Sequence, residues 1–208
     1  MRPHFRSPRS LRSPRSPRSP RGALALFGLL FVLAGCRPEA PLPVLSVLPA
    51  FSLLERAGTV LDGTTLAGRP AVVDFIFTRC PASCPRLTAR MKELEKRLPE
   101  SSTARLLSIS VDPEHDRPEV LMRYAEGWQA GPRWLFATGE RTAIWELIRK
   151  GFLLPVEEVP APAESPILHS NRFALLDRQG RMRATYEAFE EDALDRLLAD
   201  LKSVEAEL

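Results

Sequence analysis

The stretch Thr78-Arg79-Cys80-Pro81-Ala82-Ser83-Cys84-Pro85 follows the apolar run Ala71-Val72-Val73-Asp74-Phe75-Ile76-Phe77 and leads into a helical pattern from Arg86 to Leu98. The run is apolar on both alternations apart from Asp74, as a central strand covered on both faces must be. Pro85 is tolerated only in a first helical turn, so the helix is expected to start near Cys84 and to end before Pro99. Leu87, Met91, Leu94 and Leu98 repeat at the 3.6-residue period and form its buried stripe. Two thiols therefore meet at a strand-to-helix turn. Their three-residue spacer places the sulfurs about one turn apart, facing the same way. A helix N-terminus favours thiolate, the form that attacks a disulfide or binds metal, and two soft sulfurs select Cu(I) or Zn over hard ions.

Downstream the chain alternates strand and helix. Ala104 to Val111 reads as a strand, Arg117-Pro118-Glu119 opens a helix to about Trp128, and Trp134 to Ala137 is a short strand. Thr138 is placed to cap a helix from Glu140 to Lys150 that Gly151 ends. This alternation predicts an α/β fold with a mostly parallel sheet and helices on both faces. Upstream, Phe51 to Leu54 and Thr59 to Thr65 read as short strands, with Asp62-Gly63 as a hairpin signal. Pro155 to Pro166 is a proline-rich loop that delivers the chain to Ile167-Leu168-His169-Ser170. Arg172 to Leu176 and Met182 to Tyr186, joined by Asp177 to Gly180, form a late hairpin, and a last helix turns Leu194, Leu197, Leu198 and Leu201 inward.

The 208-residue chain has a formal charge of +3, but seven arginines and no acid lie in residues 1–35, which leaves −4 from Cys36 onward. A nucleic-acid partner needs a basic face on the folded part, and that excess does not exist there. The Arg-Ser-Pro units up to Arg21, the apolar run Gly22 to Leu33 and the small residues before Cys36 have the order of a secretory signal, too short for a spanning helix. Leu33-Ala34-Gly35-Cys36 resembles a bacterial lipobox, which implies cleavage before Cys36 and lipidation of that cysteine. The expected organisation is a signal over 1–35, a lipidated Cys36 and linker over 36–50, and one domain over 51–208. The expected location is exported and membrane-anchored, facing the periplasm or cell exterior, where disulfides persist.

A soft-metal site needs a third ligand, and the chain has three histidines. His4 leaves with the signal, and His115 sits in the turn Pro113-Glu114-His115-Asp116, which reads as solvated. His169 stands just before a strand able to bring it to the motif end of the sheet. A thiol-disulfide oxidoreductase without metal remains open on the same cysteines, as does a structural disulfide, although so short a loop adds little chain-entropy stabilisation.

At these residues the sequence resembles the Sco/SenC family of membrane-attached copper-binding proteins, over roughly residues 51–201. Phe75 to Pro85 matches the family's Cys-x-x-x-Cys-Pro segment. Ser110 to Leu121 matches its Asp-Pro-x-x-Asp turn and helix, and His169 ahead of Phe173 to Gly180 falls where the family keeps a histidine ligand. The resemblance implies a thioredoxin-like fold with a central mixed sheet, an N-terminal β-hairpin and a late β-hairpin insertion. It implies a copper site of Cys80, Cys84 and His169, with Asp112 and Asp116 as supporting or turn-building residues. The implied role is a metallochaperone rather than an enzyme, delivering copper to, or reducing the thiols of, the dinuclear copper centre of cytochrome c oxidase. The implied partners are the oxidase copper-centre subunit, another copper chaperone or thiol reductant, and the membrane through a lipid. Two departures stand out: Ile76 where many relatives carry glycine, and Ala82 where an acid is common.

Overall fold

A computed structural model describes residues 40–81, 83–160 and 166–207. Its first strand, β1 (Ser46–Val47), is followed by the hairpin of β2 (Ser52–Glu55) and β3 (Val60–Asp62). The hairpin turns at Gly58, whose φ of +82° is open to glycine and strained for other residues. Asp62-Gly63, the expected hairpin signal, does something else. The Asp62 carboxylate accepts the Thr65 N–H at 2.9 Å and caps the short helix α1 (Gly63–Leu66), with the Thr65 hydroxyl accepting from the Asp62 N–H in return. Aspartate serves turns and caps by the same hydrogen bond, so the dipeptide alone does not distinguish them.

The middle of the chain follows the expected alternation: β4 (Ala71–Ile76), α2 (Ser83–Arg97), β5 (Arg105–Ser110), α3 (Pro118–Gly127), β6 (Trp134–Thr138) and α4 (Arg141–Glu146). Every β4 residue is buried, and Leu87, Met91, Leu94 and Leu98 turn into the core as their spacing requires. Thr138 ends β6 rather than capping α4. The cap is the Glu140 carboxylate, which accepts the Ala143 N–H at 2.8 Å. The last turn, Leu147–Gly151, widens into a π-helix. A Cβ at Gly151 would stand 3.0 Å from side-chain carbons of Leu48 and Pro49, so this end of the helix is fitted against the entering chain.

The remaining elements are β7 (Val156–Glu158), β8 (Ile167–His169), β9 (Arg172–Leu176), β10 (Arg181–Glu187) and α5 (Ala193–Ala206). Eight strands form one sheet in the order β1-β10-β9-β4-β5-β6-β2-β3. Among the described residues, parallel pairing is confined to β4–β5 and β5–β6, so the sheet is mixed, and the expectation of a mostly parallel sheet is corrected. The two hairpins bring their own antiparallel partners and extend the parallel heart on both sides.

Two further expectations change. The pattern-free loop after Pro155 contains β7, which pairs with β8 as a separate two-stranded ladder, Val156 opposite His169. Strands of three residues carry too few alternations to be read from sequence. The stretch expected as linker is built into the fold from Leu42 onward. Arg183, 3% exposed, donates to the Leu42 and Pro43 carbonyls, and β1 pairs with β10 through Ser46 and Met182. A buried guanidinium needs acceptors for its donors, and this stretch supplies them together with Asp177 and Glu207.

Candidate metal centre

The dithiol turn lies beyond the C-terminal end of β4, the central strand, where parallel α/β topology collects loops from successive strands. Cys80 follows a tight turn in which its N–H donates to the Phe77 carbonyl at 3.2 Å, and Cys84 lies in the first turn of α2. Both are buried thiols, and their side chains are hydrogen-bonded to each other. The helix start was expected to lower thiol proton affinity, but at Cys84 burial dominates and pushes the thiol up, the hydrogen bond to Cys80 adding to the effect.

His169 arrives from the opposite direction, at the end of β8, and is 8% exposed. Its Nε2 is 3.2 Å from the Cys84 sulfur, and its Nδ1 is 3.1 Å from the Ser170 carbonyl. A carbonyl only accepts, so Nδ1 carries a proton, and in neutral imidazole the Nε2 lone pair faces the sulfur. The Phe77 ring meets the imidazole edge to face, with centroids 5.6 Å apart, and walls this side of the site with apolar surface. Eighty-five residues of separation thus close to a direct contact. Among the described residues, no three His, Cys, Asp or Glu side chains already stand in metal-holding geometry. What the fold brings together is the Cys84–His169 pair and the hydrogen-bonded Cys80.

Asp112 and Asp116, in the turn after β5, hold the segment ahead of Cys80. Asp116 is fully buried. One of its oxygens accepts the Thr78 N–H at 2.9 Å and the Ser110 hydroxyl at 2.6 Å; the other accepts the Thr78 hydroxyl at 2.5 Å. Asp112 accepts from Arg79 Nε at 2.6 Å, and this pair raises the proton affinity of the arginine. Neither acid is seen on a thiol or on His169; each fixes the backbone or side chain of a residue next to the turn. His115 is exposed, as expected for a solvated turn, and takes no part in the site. Ile76 is buried in β4. Cys36, His4 and Ala82 lie outside the described residues.

Asp74 is the functional-looking residue that spacing alone did not single out, although it is the one break in the apolar run. It is completely buried. One oxygen accepts the Ser108 hydroxyl at 2.6 Å, that hydroxyl in turn accepts from Trp134 Nε1 at 3.0 Å, and the other oxygen has no partner among the described residues. Burial pushes its carboxyl up to about 7, against the opposing effect of the Ser108 hydrogen bond.

A mixed sheet flanked by helices, with a dithiol turn at the end of its central strand and a histidine folded onto the second thiol, defines a thioredoxin-like protein. The SCO1/SenC family model matches residues 41–205, and the chain belongs to that family. It is 32% identical to the SCO1 protein homolog of Bacillus subtilis strain 168, over 74% of this chain and 80% of that protein. Among solved structures, a SCO1/SenC family lipoprotein from Bacillus anthracis superposes with a TM-score of 0.71 at 26% identity, covering 77% of this chain and 95% of that one. BsSco, described as a member of the Sco family of cytochrome c oxidase assembly proteins with a disulfide switch, superposes with a TM-score of 0.69 at 30% identity, covering 80% and 98%.

Proposed function

We propose that this protein binds copper through Cys80, Cys84 and His169 and serves the assembly of the dinuclear copper centre of cytochrome c oxidase. The observation that carries the reading is the 3.2 Å approach of His169 Nε2 to the Cys84 sulfur, with Cys80 hydrogen-bonded alongside. Two sulfurs and one imidazole nitrogen are a soft donor set suited to Cu(I), and a second nitrogen fixed on a backbone carbonyl leaves the first one available. Copper is cargo in this reading. The protein's part is to gather three donors in apolar surroundings, give up the thiol protons as the metal enters, and hold the turn through Asp116. Membership of a family with an oxidase-assembly member supports the client, and the lipoprotein relative supports residues 1–35 as an export signal and Cys36 as the lipidated end.

Copper titration of the full chain tests this. One copper per reduced chain is expected, with loss of binding in Cys80→Ser, Cys84→Ser and His169→Ala and on oxidation to the disulfide. Copper retained at full stoichiometry in all three variants sinks the reading.

The closeness of the two thiols on one turn also supports a second reading, thiol-disulfide exchange. In it the Cys80–Cys84 dithiol would reduce a client disulfide: two thiols become one disulfide here while the client's disulfide becomes two thiols, with two electrons and two protons transferred. Turnover with a disulfide substrate in the absence of copper, unchanged in His169→Ala, would make this the primary activity.

A further inference from the structure

The opposite ends of the parallel strands carry a second constellation. Arg69 lies two residues before β4, Arg105 opens β5 and Arg133 immediately precedes β6. Register brings them level: Arg105 pairs with Ala71, Leu106 pairs with Trp134, and the Leu106 N–H donates to the Arg133 carbonyl at 2.9 Å. All three line a cavity of about 250 Å3, together with Thr59, Thr65 and the apolar Leu135.

Among the described residues, no carboxylate neutralises these guanidinium groups. Arg105 donates to the Thr65 carbonyl, and Arg133 donates to the carbonyls of Ser102 at 2.9 Å and Pro99 at 3.3 Å. The Arg69 side chain makes no polar contact among the described residues. The one acid in the lining, Glu55, faces its own turn: it accepts the Ala57 N–H at 2.7 Å and the Phe136 N–H at 3.4 Å and lies 3.6 Å from Arg56. Arg105 is partly desolvated and repelled by Arg69, and both effects lower its proton affinity. Like charges gathered in a partly desolvated hollow are unfavourable unless an anion completes them. Guanidinium forks match the paired oxygens of a phosphoryl group, and the Thr59 hydroxyl supplies a further donor, that of Thr65 being spent on Asp62.

We infer that the cavity between Arg69, Arg105 and Arg133 is a binding site for a phosphate-bearing anion. Its volume admits a phosphoryl group with a small substituent. The site stands at the far end of the strands from Cys80, Cys84 and His169, so it is independent of the copper reading and its test uses no copper.

The test is thermal melting and 31P line broadening of the full chain with inorganic phosphate, against chloride at matched ionic strength. The melting temperature is expected to rise with phosphate and not with chloride. Arg69→Gln, which removes no contact within the fold, is expected to weaken the effect about tenfold, and Arg69→Gln with Arg105→Gln to abolish it. An equal rise with chloride, or an undiminished response in Arg69→Gln, overturns the inference. Vesicles of phosphatidylglycerol form a second arm. Co-sedimentation that free phosphate displaces and the double variant loses identifies a lipid headgroup as the source; a phosphate response without vesicle binding identifies a soluble one. No response to either also overturns it.

Discussion

At their C-terminal ends the parallel strands β4 and β5 feed a dry site: Cys84, Asp116 and Asp74 are fully buried, and Cys80, Asp112 and His169 nearly so. At their N-terminal ends the same sheet presents Arg69, Arg105 and Arg133 around a cavity. The first end holds polar groups away from water and, one oxygen each of Asp74 and Asp112 apart, gives them named partners, so a removal there is felt in full. The second keeps its charge near solvent, where water screens each loss. Topology makes the separation, since parallel strands send their βα loops to one edge and their αβ loops to the other.

The contrast can be broken most decisively at the proposed ligands. His169→Ala or Cys84→Ser is expected to abolish stoichiometric copper binding in a spectroscopic titration while the fold persists by circular dichroism.

Next in size is a pH effect at Asp74. Its carboxyl is pushed up to about 7 from an ordinary 3.8, so the folded state keeps the proton that the unfolded chain releases. The associated stability is therefore fully present below about 3.8 and lost as pH rises through about 7, by up to about 4 kcal/mol. Denaturant unfolding across this range should show the decline, and Asp74→Asn should flatten it. A parent slope equal to that of Asp74→Asn would place the buried charge elsewhere.

Asp116→Ala strands three donors, the Thr78 N–H and the hydroxyls of Thr78 and Ser110. A loss of about 3 kcal/mol is expected in urea unfolding, with copper affinity down roughly tenfold or more as the Thr78 anchor loosens. Asp112→Ala, whose partner Arg79 is half exposed, should lose only about 1 kcal/mol in the same assay.

The smallest effect belongs to the exposed network in which Arg141 joins Glu114 to Glu158. Arg141→Gln should change stability by less than about 1 kcal/mol, more at low salt than at high. A larger loss would show that this surface is coupled to the dry end, since Glu158 belongs to the ladder that carries His169.

How much of this was legible follows from the range of each signal. The β4 run, the α2 stripe and the Asp177-to-Gly180 turn are local patterns with strong periods or punctuation, and the structure repeats them almost residue for residue. The short ladder of β7 and β8 was missed because its pairing partner, not its own three residues, makes it a strand. The entering stretch from Leu42 was misread because its reason for order is Arg183, about 140 residues away. Asp74 was visible as an interruption, but its partner Ser108 lies on the neighbouring strand.

The sequence by itself determined that two thiols share a strand-to-helix turn, that one histidine among three stands just before a late strand, and that the fold would be α/β with late hairpins. These are matters of residue type, spacing and order. Only the tertiary structure decided that His169 touches Cys84, that burial overrules the helix start in setting the thiol's proton affinity, that Asp116 anchors the turn, and that three arginines scattered over residues 69–133 share one cavity. Each of these depends on desolvation and on contacts between distant residues, and strand register, not local sequence, brings such residues together.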